Sequence, residues 1–174
     1  MNTNILIAYF SHEGEAYVSG KIVKLEEGNT KAAARMLEEM TGGNVFRIKP
    51  VNSYPYSYME TIDIAKKEQQ QDARPAFQDK VDDMEQYDTI ILAYPNWWGT
   101  MPQIVMTFLE SYDFKGKTIL PLCTNEGSGM GHSEADIKAV CPDARIEKGL
   151  AITGCKVSKA GKNIEKWLTS AGLM

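Results

Sequence analysis

The sequence is poor in the residues that build metal and disulfide sites. It has two histidines, His12 and His132, and three cysteines, Cys123, Cys141 and Cys155. No two cysteines form a Cys-x-x-Cys pair, and an odd number closes no full disulfide set. A reduced, cytoplasmic chain without a metal site is the simplest expectation. No apolar run approaches the ~20 residues of a membrane span. Met1-Asn2-Thr3-Asn4 places no basic residue ahead of the first short apolar stretch, which argues against a secretory leader. Lys/Arg blocks are also missing, and the net charge of −4 with a pI of about 5.3 argues against nucleic acid as a partner. Internal repeats, low-complexity segments and linkers are absent too. The 174 residues are therefore expected to form one domain, 1–174.

What is present is an ordinary globular composition, 43% hydrophobic and 24% charged, with a clear rhythm of elements. Asn4 to Phe10 is a continuous apolar run, too short for a helix and lacking alternation. Both faces of such a strand are covered, as in a parallel sheet. Polar sequence follows from Ser11 to Gly28, with a small hairpin expected around Ser19-Gly20. A helix opens at Gly28-Asn29-Thr30 and stops at Gly42-Gly43. Asn44 to Ile48 is a second strand. Pro55 stands at a plausible helix start, with Met59, Ile62 and Ala65 forming its inner stripe. Residues 72–86 are polar connection with at most one helical turn.

Thr89 to Tyr94 is a third strand, and Pro102 begins the next helix. Lys117 to Cys123 is a fourth strand, although Pro121 removes a ladder donor. A helix after His132, a weak fifth strand within 145–152 and a last helix capped by Ser158 complete the chain. Strands and helices alternate about five times. This predicts an α/β three-layer sandwich: a five-stranded parallel sheet with helices on both faces.

In such a sheet three polar loops fall at the carboxyl edge, where ligands bind at a reversal of strand order. With strand order 2-1-3-4-5 the reversal lies between strands one and three. The first loop offers the Ser11 hydroxyl, the open backbone of Gly28, and the Asn29 and Thr30 side chains at a helix start, a combination suited to a phosphate. Read alone, Asn29-Thr30 is equally a plain N-cap. The loop is neither a P-loop nor a dinucleotide fingerprint, because Gly-x-x-x-x-Gly-Lys-Ser/Thr and Gly-x-Gly-x-x-Gly are missing. The second loop, Pro95-Asn96-Trp97-Trp98-Gly99, puts two adjacent indoles in a turn. They serve either as a flat wall for a ligand or as a cap on the core. The third loop, Thr124-Asn125-Glu126-Gly127-Ser128-Gly129, lets main chain approach a ligand closely. A ligand with a phosphate at one end and a broad hydrogen-bonding ring at the other would use all three, and FMN has that form.

These motifs resemble the flavodoxin family. The residues that carry the likeness are Tyr9-Phe10-Ser11, Gly28-Asn29-Thr30, Tyr94 to Pro102, and Thr124 to Gly129. The resemblance extends over the whole chain and implies a flavodoxin-like fold with non-covalent FMN. Ser11, Asn29 and Thr30 would then hold the phosphate, Pro95 to Gly99 one side of the isoalloxazine, and Thr124 to Gly129 its pyrimidine edge. Two departures stand out. The segment from His12 to Glu27 separates Ser11 from Gly28, an insert that some bacterial flavodoxin-like proteins share. The net charge is also weak beside the strong acidity common among electron-carrier flavodoxins.

Three functions are consistent with this likeness. One is a low-potential electron carrier between redox partner proteins, a monomer or weak dimer needing no catalytic residue of its own. The second is an FMN-dependent NAD(P)H:quinone oxidoreductase, or one for a similar acceptor. The third is a binding module without flavin, with Trp97 and Trp98 as a contact patch. Gly99 or Asn96 is placed to exchange a hydrogen bond with the flavin ring, Glu126 either repels reduced flavin or points to water, and the insert is expected to form a lid.

Overall fold

The computed structural model describes residues 4–174, so Met1 to Thr3, read above for a leader, lie outside the described residues. Five strands give the sheet its path: β1 (Ile5–Tyr9), β4 (Asn44–Arg47), β7 (Thr89–Pro95), β8 (Thr118–Asn125) and β10 (Leu150–Thr153). All run parallel in the order β4-β1-β7-β8-β10, the predicted 2-1-3-4-5 topology.

The alternation of side chains divides the core in two. Leu6, Ala8 and Phe10 join Ile90, Leu92 and Tyr94 on one face, under α3 (Gln103–Glu110) and α4 (Ser133–Val140). Ile5, Ile7 and Tyr9 join Ile91 and Ala93 on the other, against α1 (Asn29–Thr41) and α5 (Gly161–Ser170). This is why β1 and β7 carry no polar alternation: both pleats are buried.

Several local expectations change. Pro121 sits inside β8, opposite Leu92. The strand tolerates it because the fifth strand is split: β9 (Arg145–Ile146) pairs with Thr118 and Ile119, and β10 pairs from Leu122 onward. Pro121 faces the break between them, where its carbonyl lies against Gly149, so no ladder bond is forfeited. The helix α2 (Tyr58–Gln70) starts after Ser57, whose hydroxyl accepts the Glu60 N–H, rather than at Pro55. Its Met59, expected inside, is 54% exposed, and α2 joins neither core cluster. Ser158 does not cap α5; it lies in a 3-10 turn, Gly154–Lys159, and the helix begins after Ala160. A two-residue ladder between β5 (Lys49–Pro50) and β6 (Phe77–Gln78) was not anticipated, because it pairs segments too short to carry a pattern.

The expected hairpin is present. It pairs β2 (Glu15–Val18) with β3 (Lys21–Lys24), and Ser19 (φ 50°) with Gly20 (φ 86°) makes the tight turn that suits the strand twist.

Candidate cofactor cleft

The start of α1 is assembled from both ends of the first loop. Ser11 Oγ accepts the Lys31 N–H at 3.2 Å, standing in for an N-cap 20 residues away in sequence. Gly28 permits the approach: a Cβ there would meet Ser11 Oγ at 2.2 Å. The insert between them folds aside, which is how Ser11 reaches Gly28 at all. In the same turn, Thr30 Oγ1 and Thr124 Oγ1 share a buried 2.8 Å hydrogen bond, joining α1 to the end of β8.

The second and third loops are also bolted together. Asn96 donates its Nδ2 to the Gly129 carbonyl at 2.9 Å and accepts the Gly99 N–H through Oδ1 at 3.0 Å. The Gly99 carbonyl accepts the His132 N–H at 2.8 Å. Every side-chain polar group of Asn96 and both backbone groups of Gly99 are therefore engaged within the protein. The hydrogen bond to a flavin ring expected of either residue would require breaking one of these bonds.

Between the loops lies a cleft of about 320 Å³. Ser11, Asn29 and Thr30 line it from the first loop, Pro95, Asn96, Trp97 and Trp98 from the second, and Thr124, Asn125, Glu126 and Ser128 from the third. Gly28, Gly99, Gly127 and Gly129 do not line it. Gly28 borders a more polar hollow on the far side of Ser11, and Gly99 packs toward His132. These glycines shape the loops instead of facing the cleft; Gly99, Gly127 and Gly129 all adopt positive φ.

The other wall was not foreseen. Glu15, Ala16, Tyr17 and Leu25 of the insert, with Tyr58, Thr61, Ile62 and Ala65 of α2, close the cleft opposite the loops. Tyr17 stacks on Tyr58 at 6.0 Å, and Glu15 Oε1 accepts the Tyr58 N–H at 3.3 Å. The insert is thus a wall of the cleft. The only sequence signal was the polar length of the insert, which names no contact partner.

The two indoles divide the two readings of their turn. Trp97 lies edge-on to Phe10 at 5.2 Å and Tyr54 at 5.0 Å, packed on the core cluster while one side reaches the cleft. Trp98, at φ 56°, is 46% exposed on the rim. Its Nε1 donates to the Ile62 carbonyl at 2.9 Å, and Lys66 Nζ sits 4.9 Å from its ring.

Glu126 does not point to water as one reading held. Its Oε2 accepts the Ser19 N–H at 3.4 Å, and its Oε1 is buried with no hydrogen-bond partner among the described residues. His12 donates Nε2 to the Pro55 carbonyl at 2.8 Å, so it is occupied in holding the loop before α2. Burial pushes the Cys123 thiol up to about 12, which removes it as a nucleophile. Burial, then the neighbouring Tyr17 and Glu126, raises Tyr58. No lysine or arginine lines the cleft. No cluster of three metal-ligating side chains occurs among the described residues.

The donors suit a phosphate-bearing ligand. Ser11, Asn29 and Thr30 gather at a helix N-terminus, and the rest of the cleft is wide and mainly apolar. A parallel sheet with such a cleft at its carboxyl edge defines an open, doubly wound α/β protein, the class in which ligands bind at that edge. The chain belongs to the flavodoxin family, whose model matches residues 4–171. No curated protein matches it. Among solved structures it is similar to a candidate flavoprotein from Bacteroides eggerthii, with 29% identity, 97% of this chain and 98% of that chain covered, and a TM-score of 0.76. A second, from Bacteroides uniformis, gives 27% identity, 95% and 99% coverage and a TM-score of 0.73. A flavoprotein in complex with FMN from Lactobacillus acidophilus, 20% identical over 90% of this chain and 97% of that one, shares the fold at a TM-score of 0.63. No helix among the described residues is long and apolar enough to cross a membrane.

Proposed function

We propose that the chain holds FMN in this cleft and passes electrons between redox partner proteins at low potential. The observation that carries the reading is the chemical makeup of the lining: two carboxylates, Glu15 and Glu126, and no lysine or arginine. Bound FMN would supply the electron-accepting ring, as cofactors carry the chemistry in such proteins. The chain's own work is to hold and surround it. Ser11, Asn29 and Thr30 offer neutral donors to the phosphate, and Pro95 to Trp98 flank the ring. Thr124, Asn125 and Ser128 would face its polar edge. His12, the one histidine of the lining, is tied to the Pro55 carbonyl. An anionic reduced ring in a cleft whose lining includes no lysine or arginine is little stabilised, which lowers the potential. Titrating the apoprotein with FMN, followed by spectroelectrochemistry, tests both parts. Flavin uptake with a midpoint below that of free FMN is the expected result. A midpoint above it overturns the low-potential role.

One observation favours a second reading, an FMN-dependent reductase of quinones or similar planar acceptors. The rim is aromatic on both sides, with Tyr17 and Tyr58 facing Trp98, and a flat acceptor could stack there. Steady NADPH oxidation by the flavin-loaded protein and a quinone, with no separate reductase, would establish it.

A further inference from the structure

Glu126 stands where several parts of the molecule meet. Its Oε2 reaches the hairpin tip at the Ser19 N–H, 107 residues away in sequence. Its Oε1 presses against Gly154, where an added Cβ would come within 2.5 Å, and the Asn29 side-chain nitrogen lies 2.3 Å from that same point. Tyr58, the first residue of α2, lines the same cleft. The carboxylate thus ties the third loop to the hairpin and lies beside the start of α1 and the turn at Gly154.

The bridge is poorly satisfied. Oε1 is buried without a partner, and the bond to Ser19 is long. A buried charged oxygen left unpaired is costly, so this arrangement persists only while nothing better is on offer. The backbone on both sides of Glu126 is tied, Asn125 through Nδ2 to the Ile152 carbonyl and Gly127 through its N–H to Asn125 Oδ1 at 2.8 Å, so the movement open to Glu126 is that of its side chain. The carboxylate can swing out to water without disturbing β8.

The geometry points to Glu126 as a displaceable strap over the cleft. It ties the hairpin tip to the third loop beside Asn29. A phosphate taken at the start of α1 is a like charge in the same place and drives the carboxylate out, which frees the Ser19 N–H. Binding of the phosphorylated flavin and release of the hairpin tip are then one event. Riboflavin has the ring and the side chain but no phosphate, and leaves the strap closed. This rests on the cleft's being the FMN site.

Amide hydrogen exchange on the whole chain, read at Ser19 and over residues 15–24, tests the strap. Without ligand, Glu126→Ala should raise exchange at Ser19 by about fivefold, the ratio that one net hydrogen bond corresponds to. Glu126→Gln, which keeps an acceptor oxygen, should preserve most of the protection. In the wild type, saturating FMN should raise exchange at Ser19 by a similar factor, and riboflavin should not. In binding assays, Glu126→Gln should tighten FMN by at least about fivefold and riboflavin by less than about twofold, because a single like charge is removed. Unchanged Ser19 exchange in ligand-free Glu126→Ala would overturn the strap. So would FMN binding, seen as quenched flavin fluorescence, with Ser19 protection intact. If the wild type takes up no flavin, the cofactor reading fails and the release step with it, while the ligand-free comparison still decides the strap.

Discussion

The Gly99 carbonyl and the His132 N–H meet at 2.8 Å, and the contact exists because residue 131 has no side chain. A Cβ on Gly131 would stand 2.0 Å from the Gly99 oxygen, and Gly131 also has φ 55°. Gly131→Ala must therefore detach the Trp turn from the third loop. We expect a loss of more than ~3 kcal/mol. Gly129 shares the positive φ but has open space around it, so Gly129→Ala should cost only about 1–2 kcal/mol, the penalty of the left-handed backbone. Urea unfolding of the two variants measures the contrast, and equal losses would contradict the steric account.

The Thr30–Thr124 hydrogen bond is buried and joins two of the three loops. Thr124→Val should cost about 1–3 kcal/mol, because it strands the Thr30 hydroxyl. The double variant Thr30→Val, Thr124→Val should recover part of that loss, since no orphan remains. A double-mutant cycle gives the coupling directly, and simple additivity would refute it.

Replacing the two tryptophans singly should separate stability from ligand binding. Trp97 is wedged between Phe10 and Tyr54, so Trp97→Ala should lower stability by about 2–4 kcal/mol. Trp98 lies on the rim and is half exposed, so Trp98→Ala should cost under ~1 kcal/mol yet weaken FMN binding through the lost ring contact. Thermal melts paired with fluorescence titrations would show whether the effects divide this way.

Ser11→Ala removes the acceptor of the Lys31 N–H and a candidate phosphate donor together. Stability should fall by about 1 kcal/mol, the usual worth of such a cap. FMN affinity should fall by roughly tenfold, the effect of losing one hydrogen bond to a charged group, while riboflavin affinity should change little. Isothermal titration with both flavins tests this; equal losses for the two would remove Ser11 from the phosphate site.

Tyr54 donates its hydroxyl to both carboxylate oxygens of Glu68, at 2.8 and 3.1 Å. Burial raises Glu68 and outweighs the opposing pull of that hydrogen bond. The folded protein therefore keeps this proton to a higher pH than the unfolded chain does. The group's contribution is fully present below the ordinary carboxylate range and is lost as pH rises through the raised value. Glu68→Gln cannot lose a proton, so the variant should gain stability relative to the wild type on going from pH 4 to pH 7. Denaturation curves at both pH values give the sign, and a relative loss would reject the reading.

Much of the molecule was readable from local pattern. Strands buried on both pleats announce themselves as unbroken apolar runs, which is why β1 and β7 were legible to within a residue or two. The tight turn at Ser19-Gly20, the stop at Gly42 and the three carboxyl-edge loops follow from what short stretches of backbone can do. The rhythm of strand and helix settles the sheet, and with it the edge where the cleft lies. Chemistry at Ser11, Asn29, Thr30, Trp98 and Thr124 could be placed there because each follows a strand or opens a helix.

Other features depend on partners far away in the chain. Ser11 caps a helix 20 residues later, Pro121 is harmless only because the neighbouring strand is split, and Met59 faces water although its spacing matches a core stripe. The opposite wall of the cleft comes from the insert and α2, whose residues look like ordinary surface when read in order. Which indole packs on the core, and where the Glu126 carboxylate goes, are set by contacts across tens of residues. The sequence alone determined the sheet, its edge and the kind of ligand that edge suits, because covalent geometry and hydrophobic period act over a few residues. Tertiary structure decided how the cleft is closed, because an unpaired oxygen or an absent Cβ matters only once distant segments have been packed against it.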